Sequence, residues 1–197
     1  MHARTRLGLT LVALLLVLAG TLTLAGCGTR NRDQQTISSN EGLFHIKAPA
    51  SWQKRVDERF IGLYASEELP TSEKLESLSI VILSGGSTST SPTAQLLSKF
   101  AKERSRTRKW KAADIGDPQN VKVGGRPASR ISVAGNDSNG AFAGAYYLIR
   151  TADSDVLVMA VTPKDAWGAD EARVTQLTRD WFWHEAPSEE SSSAPRP

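Results

Sequence analysis

Residues 145–161, Ala145-Tyr146-Tyr147-Leu148-Ile149-Arg150, Thr151-Ala152-Asp153-Ser154-Asp155 and Val156-Leu157-Val158-Met159-Ala160-Val161, decide the fold. Two apolar runs of strand length, rich in β-branched and aromatic side chains, flank a short polar turn. The arrangement predicts a β-hairpin. Upstream, Ala128–Val133 and the pair Val121 and Val123 read as two more strands around a Gly124-Gly125 turn or bulge. A polar loop, Gly135 to Gly140 (GNDSNG), separates them from the hairpin.

Further towards the N-terminus, Leu78–Leu83 (LSIVIL) is another β-branched run, closed by Gly85-Gly86. Arg59–Tyr64 and the alternating Phe44-His45-Ile46-Lys47, which stops at Pro49, complete the early strands. A polar connection, Ser66 to Ser77 with Pro70, joins the later two. Two helices break the series. Ser91 is expected as an N-cap with Pro92 at the first helical position, and Leu96, Leu97, Phe100 and Ala101 form one apolar stripe to about Arg106. Trp110–Ile115 reads as a short strand. The second helix is expected over about Ala169–His184, with Val174, Leu177 and Trp181 buried. Hairpin-length loops imply an antiparallel sheet, and one-sided helices must lie against it, so the class is α+β.

Phe44, Ile46, Pro49 and Trp52 resemble the F-x-I-x-x-P-x-x-W opening of PsbP-like (Mog-type) domains. Gly125-Arg126-Pro127-Ala128 before a strand, and a late strand pair before a terminal helix, are similar too. The resemblance spans about Gly42–Trp183 and implies an α/β/α sandwich. The chain also resembles the LpqN/LpqT-type lipoproteins of actinobacteria, which join such a domain to a lipobox. Members of this fold are chiefly binding or assembly proteins, so the resemblance implies little chemistry.

The N-terminal residues carry an address. Arg4 and Arg6 precede an almost wholly apolar run, Leu7–Ala19, and the small residues after it end in Leu24-Ala25-Gly26-Cys27. That order is the layout of a secretory signal peptide, helical over 1–26, and its last four residues resemble a bacterial lipobox. In lipobox proteins a peptidase cuts between the residues matching Gly26 and Cys27, and the cysteine carries diacylglyceryl and further fatty acyl (palmitate) chains. Cys27 is the single cysteine, so an internal disulfide is excluded and lipidation gives the thiol a role. An uncleaved signal anchor is the alternative, because Leu7–Gly26 is long enough to cross a bilayer. Both place the remainder outside the cytoplasm, and the lipobox reading puts it on the outer face of the bacterial cytoplasmic membrane. The expected organisation is a signal at 1–26, a lipidated flexible tether at 27–40, a domain at 41–186 and a disordered tail at 187–197.

The chain has 24 Lys and Arg against 21 Asp and Glu. Loss of Arg4 and Arg6 with the signal nearly balances the charge, so no nucleic-acid partner is implied. Catalytic signals are thin. Beyond the signal only His45 and His184 could serve as bases, the first a solvent-facing strand residue and the second expected to cap the last helical turn. Gly85-Gly86-Ser87 lacks the second glycine of a nucleophile elbow. Asp137-Ser138-Asn139-Gly140 lacks the ends of a calcium loop and reads as a turn. No phosphate loop, dinucleotide fingerprint or zinc spacing occurs, so no metal, cofactor or catalytic residue is expected.

Two features stand above background. Lys99, Lys102, Arg104, Arg106, Arg108, Lys109 and Lys111 contain one acid among them, Glu103. Lys99, Lys102 and Arg106 share a helix face, and with Lys109 they are the candidate contact for an anionic partner; a merely solvated face is the bland alternative. Trp181-Phe182-Trp183 cannot all point one way on a helix, so Phe182 or Trp183 is expected to be partly exposed or packed under a loop. The sequence therefore implies a lipid-anchored, non-catalytic module that binds an envelope protein, lipid or glycan. The alternative is an envelope hydrolase or transferase whose site has no recognisable motif.

Overall fold

The computed structural model describes residues 33–66, 75–86 and 89–184. The signal segment at 1–26, the cleavage point at Gly26, Cys27 and the tail at 187–197 lie outside the described residues.

The hairpin read from residues 145–161 is the middle of the large sheet. Its strands are β9 (Gly140–Arg150) and β10 (Ser154–Pro163), with Leu148 opposite Leu157 and Tyr147 opposite Val158. The turn is held by Thr151, whose N–H and hydroxyl both reach the Ser154 carbonyl, and by Arg150, whose Nε lies 2.8 Å from Asp155 Oδ1. β10 pairs on its other side with β5 (Ser79–Gly86), which pairs with β4 (Phe60–Tyr64), which pairs with β3 (Gln53–Asp57). Beyond β9 lies the long β8 (Arg126–Asp137). One half of β8 pairs with β7 (Gln119–Val123) and the other with β6 (Lys111–Ile115). All these pairs are antiparallel.

Both faces of this sheet are covered, because successive side chains of a strand point to opposite sides. On one face Phe142, Tyr146 and Leu148 meet helix α1 (Thr93–Thr107) through Leu97 and Ala101, each 0 % exposed. On the other face Ala145, Tyr147 and Ile149 belong to a second core with Val174 and Leu177 of helix α2 (Trp167–Arg179). A three-stranded sheet shares that second core. Its order is β1 (Gln34–Ser38), β2 (Phe44–Pro49), β11 (Trp181–Trp183). The architecture is α+β, an antiparallel sheet between α1 on one side and α2 with the small sheet on the other. Each large aliphatic side chain buried in these cores contributes about 1.5–3 kcal/mol.

Three expectations are corrected. Gln34–Ser38 is a strand, so the stretch expected to be a flexible tether up to residue 40 is ordered from its later half onward. Ile37, its one large apolar residue, is 2 % exposed and pairs with Ile46, and the Gln35 amide donates to the carbonyls of Pro49 and Trp52. The second helix ends at Arg179 rather than His184. Trp181–Trp183 leaves it as a strand beside β2, where period-two alternation packs Trp181 and Trp183 on one side and sends Phe182 outward, a pattern that 100° helical steps do not give. His184 therefore caps no helix; its N–H donates to the Leu43 carbonyl. Finally, α1 begins one residue late, with Pro92 at the N-cap position and Ser91 outside it.

Two tight turns set the outer surfaces of the molecule. Gly124 and Gly125, both at positive φ, make the β7–β8 turn. A Cβ on Gly124 would lie 2.2 Å from the Trp181 carbonyl oxygen, so the turn packs directly onto β11. At the end of α1, Lys109 adopts φ 52, its N–H bonding the Arg106 carbonyl and that of Trp110 the Ser105 carbonyl. This is a Schellman ending with lysine where glycine is usual. It folds Trp110 back under the helix.

Candidate functional site

Helix α1 shows solvent the face opposite Leu97 and Ala101. Lys99, Lys102 and Arg106 are exposed there and, with Ser98 and Pro118, line one open groove of about 500 Å³. The i, i+3, i+7 spacing places them on one side of the helix, and Pro118, between β6 and β7, forms the far bank. One acid interrupts them. Glu103 stands 3.8 Å from Arg106, but both side chains are more than two-thirds exposed, and a surface pair of this kind contributes only about 0.2–1 kcal/mol. Lys109, the fourth candidate, is exposed at the Schellman turn and does not line the groove.

A second cavity, a cleft of about 470 Å³, lies on the opposite face between α2 and the small sheet. Trp52, Leu177, Pro49 and Ala65 make it apolar, while Lys47, Arg173 and Asp180 supply charge at its edge. Arg173 is already held 3.1 Å from the buried Asp170, whose other oxygen accepts a bond from the Thr162 hydroxyl. Pro49 and Trp52 belong to the F-x-I-x-x-P-x-x-W opening, but no motif in the sequence connects them to Arg173, Leu177 and Asp180, more than a hundred positions away.

The aromatic triplet resolves into one exposed ring and two packed ones. Phe182 is 42 % exposed; His45 stacks on it at 4.8 Å and 12°, and Lys47 Nζ sits 5.2 Å from its centre. Trp181 is buried against Phe44, and Trp183 donates its Nε1–H to the Val123 carbonyl with Arg126 over its ring. His45 Nδ1 and His184 Nε2 are 3.1 Å apart, so the two candidate bases contact each other across this outer face. Among the described residues no three His, Cys, Asp or Glu groups converge to hold a metal ion.

Two phenols are perturbed. Burial raises the pKa of both Tyr146 and Tyr147 above the ordinary 10.0, with Arg104 opposing the shift at the first and Arg130 at the second. Both hydroxyls stay protonated at neutral pH, and each phenol oxygen accepts from its arginine.

No family model matches the chain, and no curated protein matches it. Solved structures do. The fold is that of PsbP and Mog1-type proteins, an α+β class that the sheet order and the flanking helices define. The cyanobacterial PsbP (CyanoP) of Synechocystis sp. PCC 6803 superposes with a TM-score of 0.58 at 13 % identity, covering 82 % of this chain and 99 % of its own. LpqN of Mycobacterium tuberculosis, described as involved in cell envelope biogenesis, gives 0.57 at 12 % identity over 77 % of this chain and 91 % of its own. The Ran-binding protein Mog1p of Saccharomyces cerevisiae gives 0.51 at 12 % identity over 76 % and 95 %. Among the described residues no helix is long and apolar enough to cross a membrane.

Proposed function

We propose that this chain is a lipid-anchored, non-catalytic binding module on the outer face of the bacterial cytoplasmic membrane, and that the basic face of α1 meets anionic lipid headgroups there. The observation that carries the reading is the groove in which Lys99, Lys102 and Arg106 stand together, exposed, with Glu103 the single acid beside them. The lipobox-like Leu24-Ala25-Gly26-Cys27 supplies the anchor. The fold shared with LpqN, a protein involved in cell envelope biogenesis, supports the setting. A tethered domain meets its surface at high effective concentration, so weak attraction suffices. Each near-surface Lys or Arg contributes about 1 kcal/mol on an anionic membrane.

The test is flotation of the unlipidated chain (residues 27–197 with Cys27→Ser) with anionic and with neutral vesicles. Binding is expected with anionic vesicles at low salt and should fade as ionic strength rises, since charges are screened beyond about 10 Å at 0.1 M. Indifference to anionic vesicles at low salt would remove lipid as the partner. Intact mass of the membrane-extracted protein checks the anchor separately: residues 1–26 should be absent and lipid mass present.

A further inference from the structure

The end of α1 and the β8–β9 hairpin enclose a third cavity, of about 130 Å³, distinct from the basic groove. Arg104 and Arg108, one helical turn apart, face into it, and Tyr146, 1 % exposed, lies on its floor with its hydroxyl toward Arg104. Neither arginine has an ion-pair partner among the described residues. The opposite bank is the DSNG turn: Asp137 and Asn139 both line the cavity, and Asp137 Oδ1 is held 2.8 Å from the Asn139 N–H. Trp110 and Phe142, packed edge to face at 4.6 Å, form the apolar wall.

We propose that this cavity binds a single sugar ring bearing a carboxylate, a uronic-acid residue. Two guanidinium groups and a phenol O–H converge as donors for one carboxylate, and planar Arg groups suit that geometry. Asp137 disfavours a second negative charge, so a phosphate dianion fits poorly, while its free oxygen and the Asn139 amide suit ring hydroxyls. The aromatic wall takes the apolar face of the ring. The small volume admits one ring-sized group, well below the cavities that hold larger ligands. The site is independent of the basic α1 face: it uses the other side of the helix, and either can fail without the other.

The experiment titrates the full chain in non-ionic detergent with D-glucuronate, D-glucose and inorganic phosphate, reading tryptophan fluorescence and calorimetric heat. Glucuronate is expected to bind at millimolar concentrations, at least about tenfold tighter than glucose or phosphate, the factor that one lost charge-assisted hydrogen bond represents. Arg104→Gln with Arg108→Gln should remove binding, and Tyr146→Phe should weaken it about tenfold. Melting curves of each variant confirm that it is folded. The Lys99→Gln, Lys102→Gln, Arg106→Gln variant should bind glucuronate as the wild type does. No glucuronate binding at millimolar concentrations, phosphate binding as tight as glucuronate, or full binding by the folded double-arginine variant would each overturn the proposal.

Discussion

Helix α1 and the small sheet both carry lysines on their outer surfaces, but they use them differently. On the small sheet Lys47 lies over the Phe182 ring and Arg126 over Trp183, so those cations are already engaged in holding rings in place. On α1, Lys99 and Lys102 touch no ring or carboxylate among the described residues, and Arg106 has one loose surface partner. The same residue types thus hold structure together in one region and remain open to a partner in the other. Charge that the fold does not consume is the better pointer to a contact.

The comparison breaks first at β11. Trp181→Ala removes a 2 % exposed ring packed on Phe44 and should cost about 3–5 kcal/mol by chemical denaturation. Phe182→Ala, one residue along but on the exposed side, should cost less than about 1.5 kcal/mol, the scale of a stacking pair with little added burial. Equal losses would mean the strand alternation is wrong. Gly124→Ala tests the same strand from the outside. Its Cβ would meet the Trp181 carbonyl while the backbone holds positive φ, so destabilisation of about 1–3 kcal/mol is expected. The smallest effect lies on α1. Lys109→Gly relieves a left-handed lysine and should raise stability by about 0.5–1 kcal/mol, seen as a higher melting midpoint.

These two regions also differ in how far the sequence disclosed them. Leu96, Leu97, Phe100 and Ala101 recur within one helix, so α1 and its basic face were legible from local spacing alone. The hairpin of β9 and β10 was equally plain, because its turn and both its strands are contiguous. β1 and β11 were not. Gln34–Ser38 has one large apolar residue, and its burial depends on Ile46 across a turn; Trp181–Trp183 becomes a strand only because β2, some 135–139 positions earlier, offers an edge. β3 was missed for another reason: its residues QKRVD have no buried face, and Val56 is 41 % exposed, so no alternation marks it. Lys109 carries no sign of a left-handed turn, since glycine or asparagine is the usual signal there. Of the candidate contact residues, three came together in one groove, Lys109 stands apart from it, and Cys27 lies outside the described residues.

The most direct measurement compares the two surfaces in a single assay, partition of the unlipidated chain onto anionic vesicles at low salt. Lys99→Gln with Lys102→Gln and Arg106→Gln should lower partition roughly 100-fold, three cations at about 1 kcal/mol each, with an unchanged melting curve. Lys47→Gln with Phe182→Ala should change it less than about threefold, because only one cation, already engaged on a ring, is removed. The reverse ranking, with the small-sheet variant losing partition and the helix variant keeping it, would contradict the assignment of α1 as the contact face.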